Sequence, residues 1–520
     1  MNEMANPNAT SPKAPTLAIA DAGFEKAGVF SQERIRTNPV LLQVTTVLGW
    51  GTVAALSLHG AYALPYASML VLVYLFALLQ MAQVPSRRLA FYGGLAVGLL
   101  AAAGQLGFFW RIFGVGAIAL WLVYASWVAF FVVFARMCLT ARDTASAGGE
   151  IAPLGLRPTW KWLLIPFAWC GFEYFRSELY YLRFSWVSPG FAFGTMPNLA
   201  PLGLLGTYGV GFVLIAIACV AAIAWSQSKV RSAAVLISGT MLVWLMGHIF
   251  SQMPQPEPAR SVRIAGVQME FPTEKEVLVR LNELVRKHPE AELLVLSEYT
   301  FNDPLPETIK EWCRRQQRYL IVGAKDPLPD GNFYNTAFVI SPAGEIVFRQ
   351  AKSVPIQFFK DGLPAREQKA WHSPWGKIGI CICYDLSYSR VTDRLVRAGA
   401  EAMIVPTMDV TDWGLRQHQL HGRVAPVRAA EYGMPVFRLA SSGISQVVDR
   451  AGHVSATAPC PGDGAVLYGT LEFRGPGHLP LDRWLGPIST GITVAALAGF
   501  CAAFPGRKRQ IRTKPGSATL

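Results

Sequence analysis

Charge is the first thing this chain lacks. Of its 520 residues only 16% are Asp, Glu, Lys or Arg, against roughly 25% in an average soluble domain. The shortage is local: residues 40–250 are almost all apolar, whereas residues 252–483 have an ordinary soluble composition. Two parts with different solvent preferences follow. Acidic residues are the scarcer sign, 34 against 47 Lys and Arg, for a formal net charge of +13. The basic excess forms no stripe interleaved with aromatics, which argues against a nucleic-acid surface. Much of it stands in short stretches between apolar runs, as topology signals do. Cysteine is sparse, with eight in the chain, and no CxxC pair or Cys/His spacing points to zinc or another metal. Residues 1–37 have no apolar core of signal-peptide type. They read as a disordered cytoplasmic tail, with the first apolar run acting as an uncleaved signal. There is no internal repeat and no long low-complexity tract.

Long apolar runs are abundant. Seven precede the soluble part, near Val40–His59, Ala63–Gln83, Leu89–Trp110, Val115–Phe134, Trp162–Phe175, Leu202–Trp225 and Ala233–Ile249, and an eighth follows near Leu485–Phe504. Most approach the roughly 20 residues a helix needs to cross a bilayer. Such segments are expected to be helical, because backbone groups in lipid must bond internally. Trp162–Phe175 is short, and its limits are the least defined. With the N-terminus inside, the cytoplasmic stretches hold Arg34, Arg36, Arg87, Arg88, Arg136, Arg142, Arg157, Lys161, Lys229, Arg231 and the basic residues 507–514, while the opposite short loops hold Arg111, Arg176 and Arg183. This bias predicts eight crossings and both termini inside. The predicted organisation is a tail (1–37), seven transmembrane helices (38–251), an extracytoplasmic domain (252–483), an eighth helix (484–505) and a basic cytoplasmic tail (506–520). If 252–483 is extracytoplasmic, Cys313 and Cys460 become candidates for a disulfide.

The soluble part alternates strand and helix signals. Val262–Met269, Leu293–Ser297, Tyr319–Ala324, Thr336–Ile340, Lys377–Ile382, Ala402–Pro406 and Val436–Ala440 are short and β-rich. Thr273–His288 reads as a helix, with Thr273 and Glu276 as a capping box and Val277, Leu281, Leu284 and Val285 as its apolar face. The alternation predicts a layered α/β domain.

Three patterns carry chemistry. The strand Leu293-Leu-Val-Leu-Ser ends in Glu298. A hairpin-like pair of strands from Tyr334 leads to Lys352. The strand Gly376-Lys-Ile-Gly-Ile-Cys-Ile ends in Cys383, followed by Tyr384 and Asp385. Polar residues at the C-terminal ends of strands gather at one edge of an α/β sheet. Cysteine, once ionised, is a strong nucleophile. A carboxylate can take its proton and return it to a leaving group, and an ammonium can stabilise the oxyanion formed on attack at a carbonyl. Singly, each has a plain reading as a solvated surface residue or core filler. Cys381 lies two residues before Cys383 on the same strand face and reads as core.

The ordered Glu, Lys and Cys in these contexts resemble the carbon–nitrogen hydrolase (nitrilase) superfamily. The likeness continues in Asp409-Val-Thr-Asp-Trp-Gly, Gln417-His, Arg428-Ala-Ala-Glu431 and Ser441–Gly452. Glu173-Tyr-Phe-Arg176, Phe184-Ser-Trp186 and Gly206–Phe212 extend it to the apolipoprotein N-acyltransferase family, over roughly residues 40–505. The resemblance implies an α-β-β-α sandwich beside a helical membrane bundle, with Glu298 as base, Lys352 as oxyanion stabiliser and Cys383 as thioester-forming nucleophile. It also implies a phospholipid acyl donor, a lipoprotein acceptor, a bacterial inner-membrane location with the domain on the periplasmic side, and no cofactor; a monomer is expected. Tyr384, Asp385, Trp413, Asp361, Glu173 and Arg176 are candidate supporting residues. Tyr299, Phe301, Phe358, Phe359 and Trp413 are either a lipid-facing mouth or core, and Glu173 with Arg176 is either a functional pair or a structural one.

The sequence departs from that family in three places. No glutamate follows Lys352 in the run Ser353–Ala365, which leaves Asp361 or Glu367 as its substitute. Asp385 stands where the acyltransferases usually have Glu, and Ser297 replaces the usual Pro before Glu298. These changes keep acyl-enzyme chemistry but leave two acceptors open, a lipoprotein amine or water.

Overall fold

The computed structural model describes residues 39–139, 160–197, 200–251 and 260–502. The predicted tails, 1–37 and 506–520, and the expected boundary at 252 lie outside the described residues, as do Arg34, Arg36, Arg142, Arg157 and the basic 507–514 stretch. The described elements from Gln43 onward belong to one compact unit.

Each apolar run forms helix. In chain order these are α1 (Pro39–Ala63), α2 (Leu70–Ala82), α3 (Arg87–Gln105), α4 (Phe109–Phe113), α5 (Gly116–Leu139), α6 (Leu164–Tyr174), α7 (Leu202–Ser226) and α8 (Val230–Ser251), with α14 (Asp482–Ala502) after the α/β domain. Among the described residues four stretches, Val40–Ala63, Gly116–Leu139, Leu202–Ser226 and Asp482–Ala502, are long and apolar enough to cross a membrane. The others are shorter or less apolar than the hydropathy pattern suggested. The predicted run Ala63–Gln83 becomes helical only from Leu70, because Pro65 has no N–H to continue α1. Leu89–Trp110 divides at Leu106–Phe108 into α3 and α4. The short Trp162–Phe175 run is a 3-10 turn, then α6, then a π turn over Phe175–Leu179.

The α/β domain contains two six-stranded sheets. The first, ordered β12-β1-β2-β3-β4-β5, uses β1 (Arg260–Val267), β2 (Leu293–Val295), β3 (Tyr319–Pro327), β4 (Phe333–Ile340), β5 (Ile346–Ala351) and β12 (Val466–Phe473). The second, ordered β11-β10-β9-β8-β7-β6, uses β6 (Ala370–His372), β7 (Lys377–Ile380), β8 (Ala402–Thr407), β9 (Val436–Ala440), β10 (Ser445–Val448) and β11 (Val454–Ala458). Both centres are parallel, β1-β2-β3 and β7-β8-β9. Strand alternation assigns the faces. Val262, Ile264, Leu293, Val295 and Ile321 pack with Ile378, Ile380 and Ile404 between the sheets. Ala265, Val267, Leu294 and Leu320 face α9 (Glu274–Lys287) and α10 (Glu307–Gln316) on the outside. Helices α11 (Ser389–Arg397), α12 (Leu415–Gly422) and α13 (Val424–Tyr432) complete the helical layers of an α-β-β-α sandwich. The predicted capping box at Thr273 and Glu276 is present, and Val277, Leu281 and Leu284 are buried.

The candidate pair Cys313 and Cys460 is not joined: the eight cysteines are free thiols. Cys313 is buried in the layer beneath the first sheet, whereas Cys460 is half-buried just after β11 of the second. Their elements belong to different sheets and do not bring the two sulfurs together.

Candidate active site

Three strand ends meet between the sheets. Glu298 lies three residues beyond β2, Lys352 directly follows β5, and Cys383 lies three residues beyond β7. The turn at Glu298 needs a bare backbone beside it, since a Cβ at Gly323 would stand 2.6 Å from the Ser297 carbonyl oxygen. Cys383 adopts a φ of +52°, an uncommon left-handed conformation for a residue with a side chain, of the kind found where backbone is held for function.

The geometry is tight and dry. Lys352 is 0% exposed and Glu298 and Cys383 are each 2% exposed. Lys352 Nζ donates to Glu298 Oε1 at 2.8 Å and pairs with Asp361 Oδ2 at 2.7 Å. Asn335 Nδ2 bridges the same carboxylates, at 2.7 Å to Glu298 Oε1 and 2.9 Å to Asp361 Oδ1. The second Glu298 oxygen accepts the Met408 N–H at 2.8 Å. The Met408 carbonyl in turn accepts from Cys383 Sγ at 3.7 Å. One peptide segment after β8 therefore touches both the carboxylate and the thiol.

Electrostatics follow from burial and pairing. Burial, the Glu298 charge and a hydrogen bond to that carboxylate push the Cys383 thiol well up, with Lys352 opposing. Burial also raises Glu298, and Asp361 adds to this while Lys352 pulls it down. For Lys352 burial would lower the value, but the two carboxylates outweigh it and hold the ammonium protonated. For Asp361, Lys352 outweighs burial and keeps the carboxylate ionised. The arrangement is a thiol beside a basic carboxylate with a fixed ammonium, which can form and resolve an acyl thioester.

Of the two candidates for the missing acid, the structure brings only Asp361 to the site. It also accepts from Tyr299 OH at 3.0 Å and the Ile356 N–H at 2.8 Å. Glu367 pairs with Lys369 at the exposed surface. Asp385 caps the backbone, accepting from Ser353 N, Val354 N and Ile382 N, and burial raises its carboxyl to about 6 against those donors. It ties the loop after Lys352 to the turn before Cys383. Cys381 is buried in the core. Tyr384 OH donates to the Arg183 carbonyl at 3.0 Å. Trp413 is half-buried beside Phe359, with ring centroids 6.2 Å apart. Of the five candidate mouth aromatics, Tyr299 and Phe301 are buried, and Phe358 and Phe359 are exposed. Glu173 and Arg176 form a buried ion pair at 3.0 Å within the helical bundle, and their hydrogen bonds go to each other and to the Phe184 carbonyl, not to the triad.

Asn335, Met408 and Asp409 were missed as site residues. Asp409 accepts from His421 Nδ1 at 2.8 Å, Gln417 Nε2 at 2.9 Å and Arg438 Nη2 at 2.5 Å, so it anchors the segment that includes Met408. Asp409 and Gln417 stand in motifs visible in the sequence, but the tie of that segment to Glu298 through Met408 is not. Among the described residues no three His, Cys, Asp or Glu side chains group to hold a metal ion.

The helical part reaches this site directly. Trp186 Nε1 donates to Ser387 Oγ at 2.8 Å, and its ring stacks on His421 at 4.6 Å and stands edge-on to Tyr384 at 5.8 Å. Arg428, wholly buried, donates to the Leu386 and Ser387 carbonyls at 3.0 and 2.7 Å and pairs with Glu431. Glu431 accepts from Thr207 N and Oγ1 in α7 at 3.0 and 3.1 Å. Gly206 precedes this contact with φ +71°, and the Asp482 carboxyl occupies the space a Cβ would need.

Two facing sheets with this strand-end constellation define a carbon–nitrogen hydrolase domain, and the Carbon-nitrogen hydrolase family model matches residues 263–473. The Apolipoprotein N-acyltransferase N-terminal domain model matches residues 50–220. The two models lie in one polypeptide, and the chain is similar to apolipoprotein N-acyltransferases over most of its length. It is 27% identical over 395 residues to the apolipoprotein N-acyltransferase of Geobacter metallireducens, covering 66% of this chain and 74% of that one. It is 24% identical over 349 residues to that of Shewanella oneidensis, covering 57% and 65%. Among solved structures it is similar to the nitrilase-superfamily protein Nit3 of Saccharomyces cerevisiae, at 20% identity, 50% and 100% coverage and a TM-score of 0.36.

Proposed function

We propose that this protein is an apolipoprotein N-acyltransferase that moves an acyl chain from a phospholipid, through a Cys383 thioester, to the N-terminal amine of a diacylglyceryl-cysteine lipoprotein. The observation that supports the reading is the contact of the helical part with the residues flanking Cys383, since apolar helices beside a buried thiol suit a lipid acyl donor. Glu298 takes the Cys383 proton as sulfur attacks the ester carbonyl. With the thiol's acidity suppressed by burial, transfer of that proton accompanies attack rather than preceding it. Lys352 supports the oxyanion, and protonated Glu298 returns the proton to the departing lysophospholipid oxygen. In the second half the acceptor amine attacks the thioester, loses a proton through Glu298, and Cys383 leaves as the thiol. Asp361 holds Lys352 as the family's second glutamate would.

The proposed setting is a bacterial inner membrane with eight crossings, the segments 38–251 and 484–505 embedded, and 252–483 on the periplasmic side, as a monomer. Reporter fusions after Lys229, within the α/β domain and after Arg509 are expected to read inside, outside and inside; a reversal at any of them breaks this topology. The acceptor is tested by giving purified protein a labelled phospholipid and a diacylglyceryl-cysteine peptide. The expected product is mainly N-acyl peptide. Mainly free fatty acid, unchanged by adding peptide, would make water the acceptor and the protein a membrane-tethered amidase-type hydrolase.

A further inference from the structure

An apolar surface beside the site carries two exposed cations, Arg111 and Lys360, that have no ion pair among the described residues. Trp110, Val115, Phe358, Phe359 and Leu415 are all exposed. Phe113 at the end of α4 packs edge-on against Phe358 and Phe359, at 5.7 and 6.1 Å between ring centroids, and Phe359 meets Trp413. Contiguous exposed aromatic surface of this kind marks an interaction site, and aromatic residues favour the level of lipid headgroups.

Arg111 stands within this patch and is exposed. Its guanidinium lies along the turn after Trp413, with Nε 3.3 Å from where a Cβ of Gly414 would be. Gly414 has φ +85°, so a side chain there would be strained and would crowd the arginine. Among the described residues, the Arg111 guanidinium has no ion pair or hydrogen bond. Lys360, beside Phe359, is exposed and likewise without an ion pair. The neighbouring acids do not neutralise them: Asp412 is exposed and unpaired with either, and Asp361 is turned inward to Lys352.

The loops bearing this patch are the loops that hold the site. Phe358 and Phe359 precede Asp361, which grips Lys352, and Trp413 and Gly414 follow the Met408 segment that touches Glu298 and Cys383. We infer that Arg111, assisted by Lys360, binds the phosphate of the phospholipid acyl donor and sets the depth at which its ester reaches Cys383. This deepens the functional reading above and rests on it. A planar fork of donors suits a phosphodiester, and the diacylglyceryl-cysteine acceptor carries no phosphate, so phosphate selectivity belongs to the donor half-reaction.

The test uses the full-length protein in detergent micelles with two donors of identical acyl chains, a zwitterionic phospholipid and phosphate-free diacylglycerol. Thioester formation on Cys383 is followed by the mass of the intact protein. Wild type is expected to prefer the phospholipid. In Arg111→Gln that preference in kcat/KM falls about fivefold, the order of one exposed charge pair, and further in Arg111→Gln/Lys360→Gln, while Arg111→Lys retains most of it. Formation of the thioester from diacylglycerol in the variants reports an intact fold. A wild-type thioester with an unchanged donor ratio in both the single and the double variant overturns this inference alone. No thioester from phospholipid in the wild type overturns the functional reading and this inference with it.

Discussion

Replacing Asp361 by Asn separates the work of its charge from its shape. Asp361 is 6% exposed and contacts Lys352, Asn335, Tyr299 and the Ile356 N–H. Breaking a buried pair by removing one partner costs ~3–5 kcal/mol. Lys352 keeps Glu298 at 2.8 Å, so the loss here is expected near the lower end or below it, about 2 kcal/mol in unfolding free energy. The effect on chemistry has a definite sign. Asp361 is one of the charges that hold Glu298 up. Without it the Lys352 charge acts undivided on Glu298, which becomes a weaker base. A weaker base takes the Cys383 proton less readily, so acylation should slow, on the order of tenfold out of the roughly 10²–10⁴-fold that general-base catalysis supplies. The assay is single-turnover thioester formation from a labelled phospholipid, with thermal unfolding measured alongside. Glu367→Gln, at an exposed pair, should match wild type. A folded Asp361→Asn protein acylating at the wild-type rate, or slowed acylation in Glu367→Gln, would refute the reasoning.

Cys383→Ser should abolish the thioester, and Cys381→Ser should keep most activity; peptide mapping of the acyl label checks this, and a label on Cys381 sinks the assignment. Glu298→Gln and Lys352→Met should each lower turnover by about a hundredfold or more, with near-normal turnover ending that residue's role. Burial lowers both His418 and His421 from the ordinary 6.5, with Asp409 opposing. The unfolded chain then binds more protons as pH falls past about 6.5, and stability declines by up to about 1.4 kcal/mol per pH unit for each histidine. Asp385, raised to about 6, acts oppositely below that value, so the comparison is between proteins: His421→Gln should lose unfolding temperature less steeply than wild type from pH 7 to 5, and parallel curves would contradict this.

Much of the candidate site was legible in the chain because Glu298, Lys352 and Cys383 each end a strand. Short apolar runs make β2 and β7 visible, a hairpin-like pair of strands leads through β5, and the polar residue that stops each run is conspicuous. The Thr273 capping box was equally local. The rest depends on contacts distant in sequence. Nothing in Asn335 marks it as the bridge between Glu298 and Asp361, and no pattern ties Trp186 to His421, 235 residues later. The choice between Asp361 and Glu367 was also closed to sequence, since Asp361 reaches Lys352 only because the loop folds back to bind its own Ile356 N–H. Apolar runs indicated helix correctly, but hydropathy overran the breaks at Pro65 and Leu106–Phe108, where backbone geometry rather than solvent decides.

The buried Arg428 has a consequence for how this protein can be taken apart. It clasps the carbonyls just downstream of Cys383, and its partner Glu431 is held by Thr207 in α7, which is kinked at Gly206. Excising residues 260–473 would leave Glu431 without Thr207 and Ser387 without Trp186, stripping two braces from the turn that presents sulfur. The α/β segment thus leans on the helical part for the shape of the turn at Cys383, and a fragment cut free of it is expected to hold that turn slackly.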